Sequence, residues 1–143
     1  MKWKIPSLLA ASVLFALLFS DCQDNPYKQG EILYTNYCAS CHMDDGTGLQ
    51  GNIPPLANAD YLKTDQDKLA CITRYGMVGE IVVNDEAYNN IMPGVPELSA
   101  FEITNVINYI NHAWGNDYGL AKYEEVKAAL EQCDAPVGSA QKN

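Results

Sequence analysis

Cys38-Ala39-Ser40-Cys41-His42 is the stretch on which the reading of this chain turns. Two thiols three positions apart lie on one side of a helical turn, and a histidine follows at once. At that spacing both sulfurs reach one planar group, and each adds across a vinyl substituent to form a thioether. The imidazole is then set against a metal at the centre of the plane. This is the spacing of c-type haem attachment. Two other chemistries use a CxxC pair. A redox-active disulfide sits near a βαβ unit, and the sequence around residue 38 has no such alternation. A zinc site needs two more ligands. The only spare histidine is His112, far along the chain, and there is no second CxxC. The expected cofactor is one haem c, covalently held by Cys38 and Cys41, with His42 as an axial iron ligand.

Upstream of the motif, Met1-Lys2-Trp3-Lys4 is basic and Ile5 to Phe19 is apolar apart from Pro6, Ser7 and Ser12. Asp21-Cys22-Gln23-Asp24 then turns polar. That order describes a secretory signal over residues 1–21. The apolar run is shorter than the roughly 20 residues of a membrane-spanning helix, which is the competing reading. Export agrees with the motif, because c-type attachment takes place outside the cytoplasm. The remainder is one domain's worth of chain. The expected division is a linker over 22–25, a haem domain over 26–115, a helical extension over 116–133 and a flexible tail over 134–143.

The chain carries 9 basic and 18 acidic residues, a net charge of −9. Cleavage after residue 21 removes Lys2, Lys4 and Asp21 and leaves the domain more acidic still. Such a surface argues against nucleic acid and against anionic membrane faces. It suits a redox partner with a basic docking patch. Solubility alone is the other reading of the charge.

Downstream, Asn25-Pro26 predicts a helix start, with Asn as N-cap and Pro at the first helical position. That helix runs to about Cys38. Tyr27, Gly30, Tyr34 and Cys38 share one of its faces, and Gly30 marks a close approach by another helix. Residues 44–60 carry Gly46, Gly48, Gly51 and Pro54-Pro55 and read as a long loop, of a length that is usually functional. Thr64-Asp65-Gln66-Asp67 resembles a capping box and predicts a helix from Asp65 to about Tyr75, stopped by Gly76. Ile81-Val82-Val83 and Ala87-Tyr88 flank a tiny hairpin. Ser99-Ala100-Phe101-Glu102 is a full capping box. The apolar face that follows is Phe101, Val106, Ile107, Ile110 and Trp114, ending at Gly115. A last helix is expected from about Tyr123 to Gln132.

A haem iron held by one histidine has a sixth position to fill. Histidine plus methionine is the electron-transfer pairing. Met43 adjoins His42 and cannot reach the opposite face, which leaves Met77 and Met92. Met92 is preferred because Pro93 stiffens the loop that carries it. Either methionine can instead be a core filler.

From Tyr27 to about Trp114 the chain resembles the single-haem class I cytochrome c family. The resemblance rests on Gly30, Tyr34 and Tyr109, on Cys38, Cys41 and His42, on Pro54-Pro55-Leu56, and on Met92-Pro93 followed by Leu98-Ser99 and an apolar helix. It implies an all-α class I fold around one haem, here with an added C-terminal helix and a very short hairpin. It implies that Gly30 and Tyr34 pack across Tyr109. It also implies that a prolyl carbonyl in the loop before Leu56, with Pro55 the better candidate, accepts the N–H of His42. Arg74 and Tyr75 fall where such proteins place haem-edge contacts, with Arg74 as a propionate partner. The implied function is one-electron transfer in a periplasmic or membrane-surface chain, by a protein that is not itself an enzyme. The alternatives are a cytochrome subunit of a larger oxidase, reductase or dehydrogenase complex, and a haem sensor or peroxidase with a labile distal ligand.

Leu18-Phe19-Ser20-Asp21-Cys22 resembles a lipoprotein cleavage site, departing from it at Phe19 and Asp21. A lipid on Cys22 would anchor the exported domain to a membrane. Cleavage near Ser20 would instead release a free periplasmic protein. The chain has five cysteines, an odd number that asks for an explanation in an exported protein. With haem on Cys38 and Cys41 and lipid on Cys22, Cys71 and Cys133 remain. They either pair in the oxidising compartment or stay as two buried, inert thiols.

Overall fold

Helix α1 (Lys28–Tyr37) crosses α5 (Ala100–His112), and this crossing is the frame on which the rest is hung. The computed structural model describes residues 25–138. The signal segment, Cys22 and residues 139–143 of the tail lie outside the described residues. The contact between the two helices is tight because Gly30 has no side chain. A Cβ there would stand 2.7 Å from Tyr109 Cβ and closer still to the carbonyl of Asn105. One turn further on, Tyr34 is buried against Tyr109 and Trp114, with ring centroids at 5.4 and 5.0 Å. Tyr109 and Trp114 meet edge-on at 5.5 Å, so the three rings close one end of the crossing.

Helix α1 begins two residues later than its cap signal implies. Asn25 Oδ1 accepts from the N–H of Tyr27 at 2.9 Å, an Asx turn before the helix rather than a cap on it. The capping box at α5 forms in full. Ser99 Oγ accepts from Glu102 N, and Glu102 Oε2 accepts from Ser99 N at 2.7 Å. The buried face of α5 is Ile103, Thr104, Val106, Ile107 and Asn111. Phe101 does not belong to it and is 62% exposed. Two residues turn a helix through about 200°, so Phe101 points away from Ile103.

The stretch 60–75 divides differently from the expected single helix. Asp60–Thr64 form a short helix α3, Gln66–Lys68 a 3-10 turn and Leu69–Tyr75 helix α4. Thr64 ends α3 instead of capping α4. Its hydroxyl is held by the carbonyls of Asp60 and Tyr61 and by Asp65 Oδ2. Asp65 in turn takes the ammonium of Lys68, so neither side chain caps the chain that follows.

Helix α4 stops at Gly76 (φ +84), which opens strand β1 (Gly76–Met77). Strand β4 (Met92–Pro93) pairs with it antiparallel, Gly76 opposite Pro93 and Met77 opposite Met92. A Cβ on Gly76 would strike the carbonyl of Met92, so this glycine is required by both its φ and its neighbour. Strands β2 (Ile81–Val83) and β3 (Glu86–Tyr88) form the hairpin. Its turn residues, Asn84 and Asp85, both have positive φ, as a two-residue type I′ turn requires.

After α5 the chain runs across its own helix in an asparagine-bonded return. Asn108 bonds both ways with Ala121, and Asn111 donates to the carbonyl of Gly119 and pairs with Gln66. Helix α6 (Tyr123–Leu130) then packs on α4 and α5, burying Val126. Cys133 is joined to Cys71 of α4 by a disulfide, with the Cα atoms 6.0 Å apart. The core gathers Leu33, Ile72, Leu98, Ile103, Val106 and Ile107 between α1, α4 and α5.

Candidate haem site

The attachment motif is a second, tighter turn grown from the end of α1. Cys38 N still donates to Tyr34 O, and His42 N to Cys38 O at 2.9 Å, closing helix α2 (Ala39–His42). Met43 then reverses the chain at φ 64. Tyr34 holds this strained corner by donating its hydroxyl to Met43 O at 2.6 Å. Trp114 Nε1 donates to Asp44 O at 3.1 Å, and its ring covers Gly46, where a Cβ would lie 2.6 Å from the ring.

The loop from Asp44 to Ala57 folds back on His42. Gly48 N donates to His42 O, and the N–H groups of Leu56 and Ala57 both donate to Gly46 O. His42 Nδ1 donates to the carbonyl of Pro54 at 3.1 Å. This corrects the expectation that Pro55 supplies the acceptor. The two bonds from Leu56 and Ala57 tie the far side of Pro55 to residue 46, and Pro54 is left facing the ring. Asn116 fixes the same loop from behind. It donates to Leu56 O at 3.0 Å and to Ile110 O, and accepts from Asn58 N at 2.7 Å.

His42 is buried, and burial lowers its pKa against the opposing pull of the Pro54 hydrogen bond. It is therefore neutral at ordinary pH, with the proton on Nδ1 and the lone pair on Nε2. That is the form in which imidazole ligates a metal.

Cys38, Cys41 and His42 line an apolar crevice of about 1060 Å³ including its open mouth. Pro54, Pro55 and Leu56 form part of its wall, with Leu69 and Ile72 of α4 and Val106, Ile107 and Ile110 of α5. Met77 and Met92 both reach it, as their cross-strand pairing requires, and Ile81 and Val83 of the hairpin join them. Arg74 and Tyr75 are not among the lining residues. Arg74 Nε is nevertheless buried with no hydrogen-bond partner among the described residues.

Both thiols of the motif are free, Cys38 half-buried and Cys41 exposed. Burial, then the neighbouring Cys41, pushes the Cys38 thiol up to about 11. A redox-active CxxC needs the opposite, a thiol with a depressed pKa. Among the described residues there is also no group of three or more His, Cys, Asp or Glu able to hold a metal ion. A haem fits what is present: two thiols at the rim, a neutral histidine beneath them, apolar walls, and an orphaned guanidinium donor suited to a carboxylate.

Sequence reasoning missed Asn116, Tyr37, Tyr61 and the hairpin's contribution to the wall. Asn116 has no local signal, because its loop partners lie 58 and 60 residues away.

A helical shell with paired thiols and a neutral imidazole on an apolar crevice defines a haem protein of the c type. This chain belongs to the cytochrome c family, whose sequence model matches residues 27–114. It is similar to cytochrome c-552 of Thermus thermophilus, 37% identical over 83 residues, which cover 55% of this chain and 63% of that protein. It is also similar to the cytochrome c subunit of the quinone alcohol dehydrogenase of Gluconobacter oxydans (strain 621H). There the identity is 34% over 115 residues, 78% of this chain and 23% of the subunit. The corresponding subunit of Gluconacetobacter polyoxogenes is 33% identical over 114 residues, 77% of this chain and 24% of its own length. The chain thus spans less than two thirds of each of these relatives. Membership makes it an electron-transfer protein with covalently bound haem c, built on the class I fold with an added C-terminal helix.

Proposed function

We propose that this protein is a one-electron carrier with a single haem c, ligated by His42 and Met92, working in an electron-transfer chain outside the cytoplasm. The observation that carries the reading is the shared crevice, which brings Cys38, Cys41 and His42 to one cavity with Met92, 50 residues further along the chain. Haem supplies the redox chemistry, its iron cycling between the ferrous and ferric states. The chain's residues do the rest. Cys38 and Cys41 would hold the haem through thioether bonds to its vinyl carbons. Pro54 orients the His42 ring and raises its basicity as a ligand. Met92 would offer its thioether to the iron, a ligand that raises the potential. The apolar walls exclude water, and Arg74 offers a donor to a propionate.

The reading is tested by the absorption spectrum of Met92→Ala. Loss of the methionine-to-iron band supports it. If the band survives there and vanishes in Met77→Ala, the ligand is Met77. Ready binding of carbon monoxide by the reduced wild-type protein would instead favour a sensor or peroxidase.

The acidic surface suits a partner with a basic docking patch, and residues 1–22 suit export with a lipid on Cys22. An unmodified mature N-terminus in the mass spectrum would rule out the lipid. A second reading, as the cytochrome subunit of a dehydrogenase complex, draws on the alcohol dehydrogenase subunits, whose similarity reaches over more of this chain than that of cytochrome c-552. Co-purification of a dehydrogenase with the protein would favour it.

A further inference from the structure

The last described residues return to strand β1, whose Met77 lines the crevice. Val137 lies beside β1 as a parallel bridge to Met77. Val78 N donates to Val137 O at 2.9 Å, and Val137 N donates to Gly76 O at 3.0 Å. Gly138, at φ +84, lies so close to the carbonyl of Val78 that a Cβ would collide with it. The opposite edge of β1 pairs with β4, where Met77 faces Met92. Strand β1 is therefore the middle of three backbones, with the C-terminal return on one side and the Met92 strand on the other. The return is tethered at both ends. Cys133 is bonded to Cys71 of α4, the helix that leads into Gly76, and Val137 is bonded to β1 itself.

A two-stranded ladder of two residues is marginal by itself. Beyond that ladder, the Met92 segment is held by Val95 N, which donates to Thr73 O, and by Asn90 Nδ2, which donates to Asn52 O. The third backbone supplies what this short pair lacks. We propose that residues 133–138 are a strap that holds β1 against β4 and so keeps Met92 seated on the crevice wall, with Val137 as its positioning residue. The inference rests on the reading of Met92 as the sixth ligand.

The test uses the ferric holoprotein and free imidazole as a competing ligand. Two variants cut the strap with the disulfide intact: a chain ending at Ala135, and Val137→Pro, which removes the N–H given to Gly76 together with the valine side chain. Both should bind imidazole about tenfold more tightly, the factor expected from losing one or two backbone hydrogen bonds in the opening equilibrium. The methionine-to-iron band should weaken, and the amides of Met77, Val78 and Met92 should exchange faster. Haem content should not change. Val126→Ala, which weakens the packing of α6 without touching the strap's bonds, should leave imidazole affinity as it is. Affinity and exchange within about twofold of the full chain in both strap variants overturn the proposal. So does an equal tightening in Val126→Ala. A band that persists in Met92→Ala condemns the ligand assignment instead, and amide exchange alone then decides whether the strap holds β1 to β4.

Discussion

Gly30 and Asn105 meet with no space for a side chain between them, the α-carbon of one lying against the carbonyl of the other. Gly30→Ala gains about 1 kcal/mol of helix propensity. It also forces α1 and α5 apart at their crossing, an overpacking that costs about 1–3 kcal/mol or more. The expected result is a net loss of stability, read as a lower denaturant midpoint with an unchanged slope.

Tyr34→Phe keeps the packing of the three rings and removes one hydroxyl. The carbonyl of Met43 then keeps only the N–H of Gly46, at 3.2 Å, at a backbone corner that the hydroxyl had also held. A loss of about 0.5–1.5 kcal/mol is expected from equilibrium unfolding.

Asn116→Ala deletes three hydrogen bonds to the backbone at Leu56, Asn58 and Ile110. The loop that presents Pro54 to His42 loses its rear support. Stability should fall by about 3 kcal/mol. The amides of Leu56 to Asn58 should exchange faster than in the parent.

The covalent link separates the two thiols from the histidine. Cys38→Ala and Cys41→Ala should each keep haem on the unfolded chain through the remaining thioether. The double variant should release it on denaturation, as whole-protein mass spectrometry will report. His42→Ala should keep the mass of attached haem and lose the spectrum of a low-spin, six-coordinate iron.

Glu102 is held below its ordinary value of 4.5 by hydrogen bonds from the Ser99 hydroxyl and N–H. A carboxyl depressed in the folded state stabilises it above the unfolded pKa, and that contribution is lost as pH falls through the folded value. Glu102→Gln should therefore make the acid limb of the stability curve shallower below about pH 4.5, the remaining slope coming from Asp45, Asp65 and Glu125, which are also held low.

The parts of this molecule that were legible in advance are those whose signals are local. Ser99 and Glu102 are three residues apart and cap α5. Asn84 and Asp85 suit a hairpin turn. Cys38, Cys41 and His42 sit within a single turn. Errors arose where one local signal allowed more than one outcome. Pro54 replaces Pro55 because the N–H groups of Leu56 and Ala57 are drawn to Gly46. Thr64 resembles a cap, but its hydroxyl is taken by the turn behind it. Phe101 is apolar and follows a cap, yet helical phase turns it to solvent.

Trp114 reaches Asp44 across 70 residues of chain. A segment pinned from so far downstream cannot settle until the chain through Trp114 has been delivered and docked. The thiols and histidine therefore emerge early on a segment that closes late. Whatever apparatus joins the haem to them is given a substrate still open on the side where Trp114 will later lie. The order of chain emergence thereby sets an interval for attachment, which ends when the last helix of the haem domain folds down.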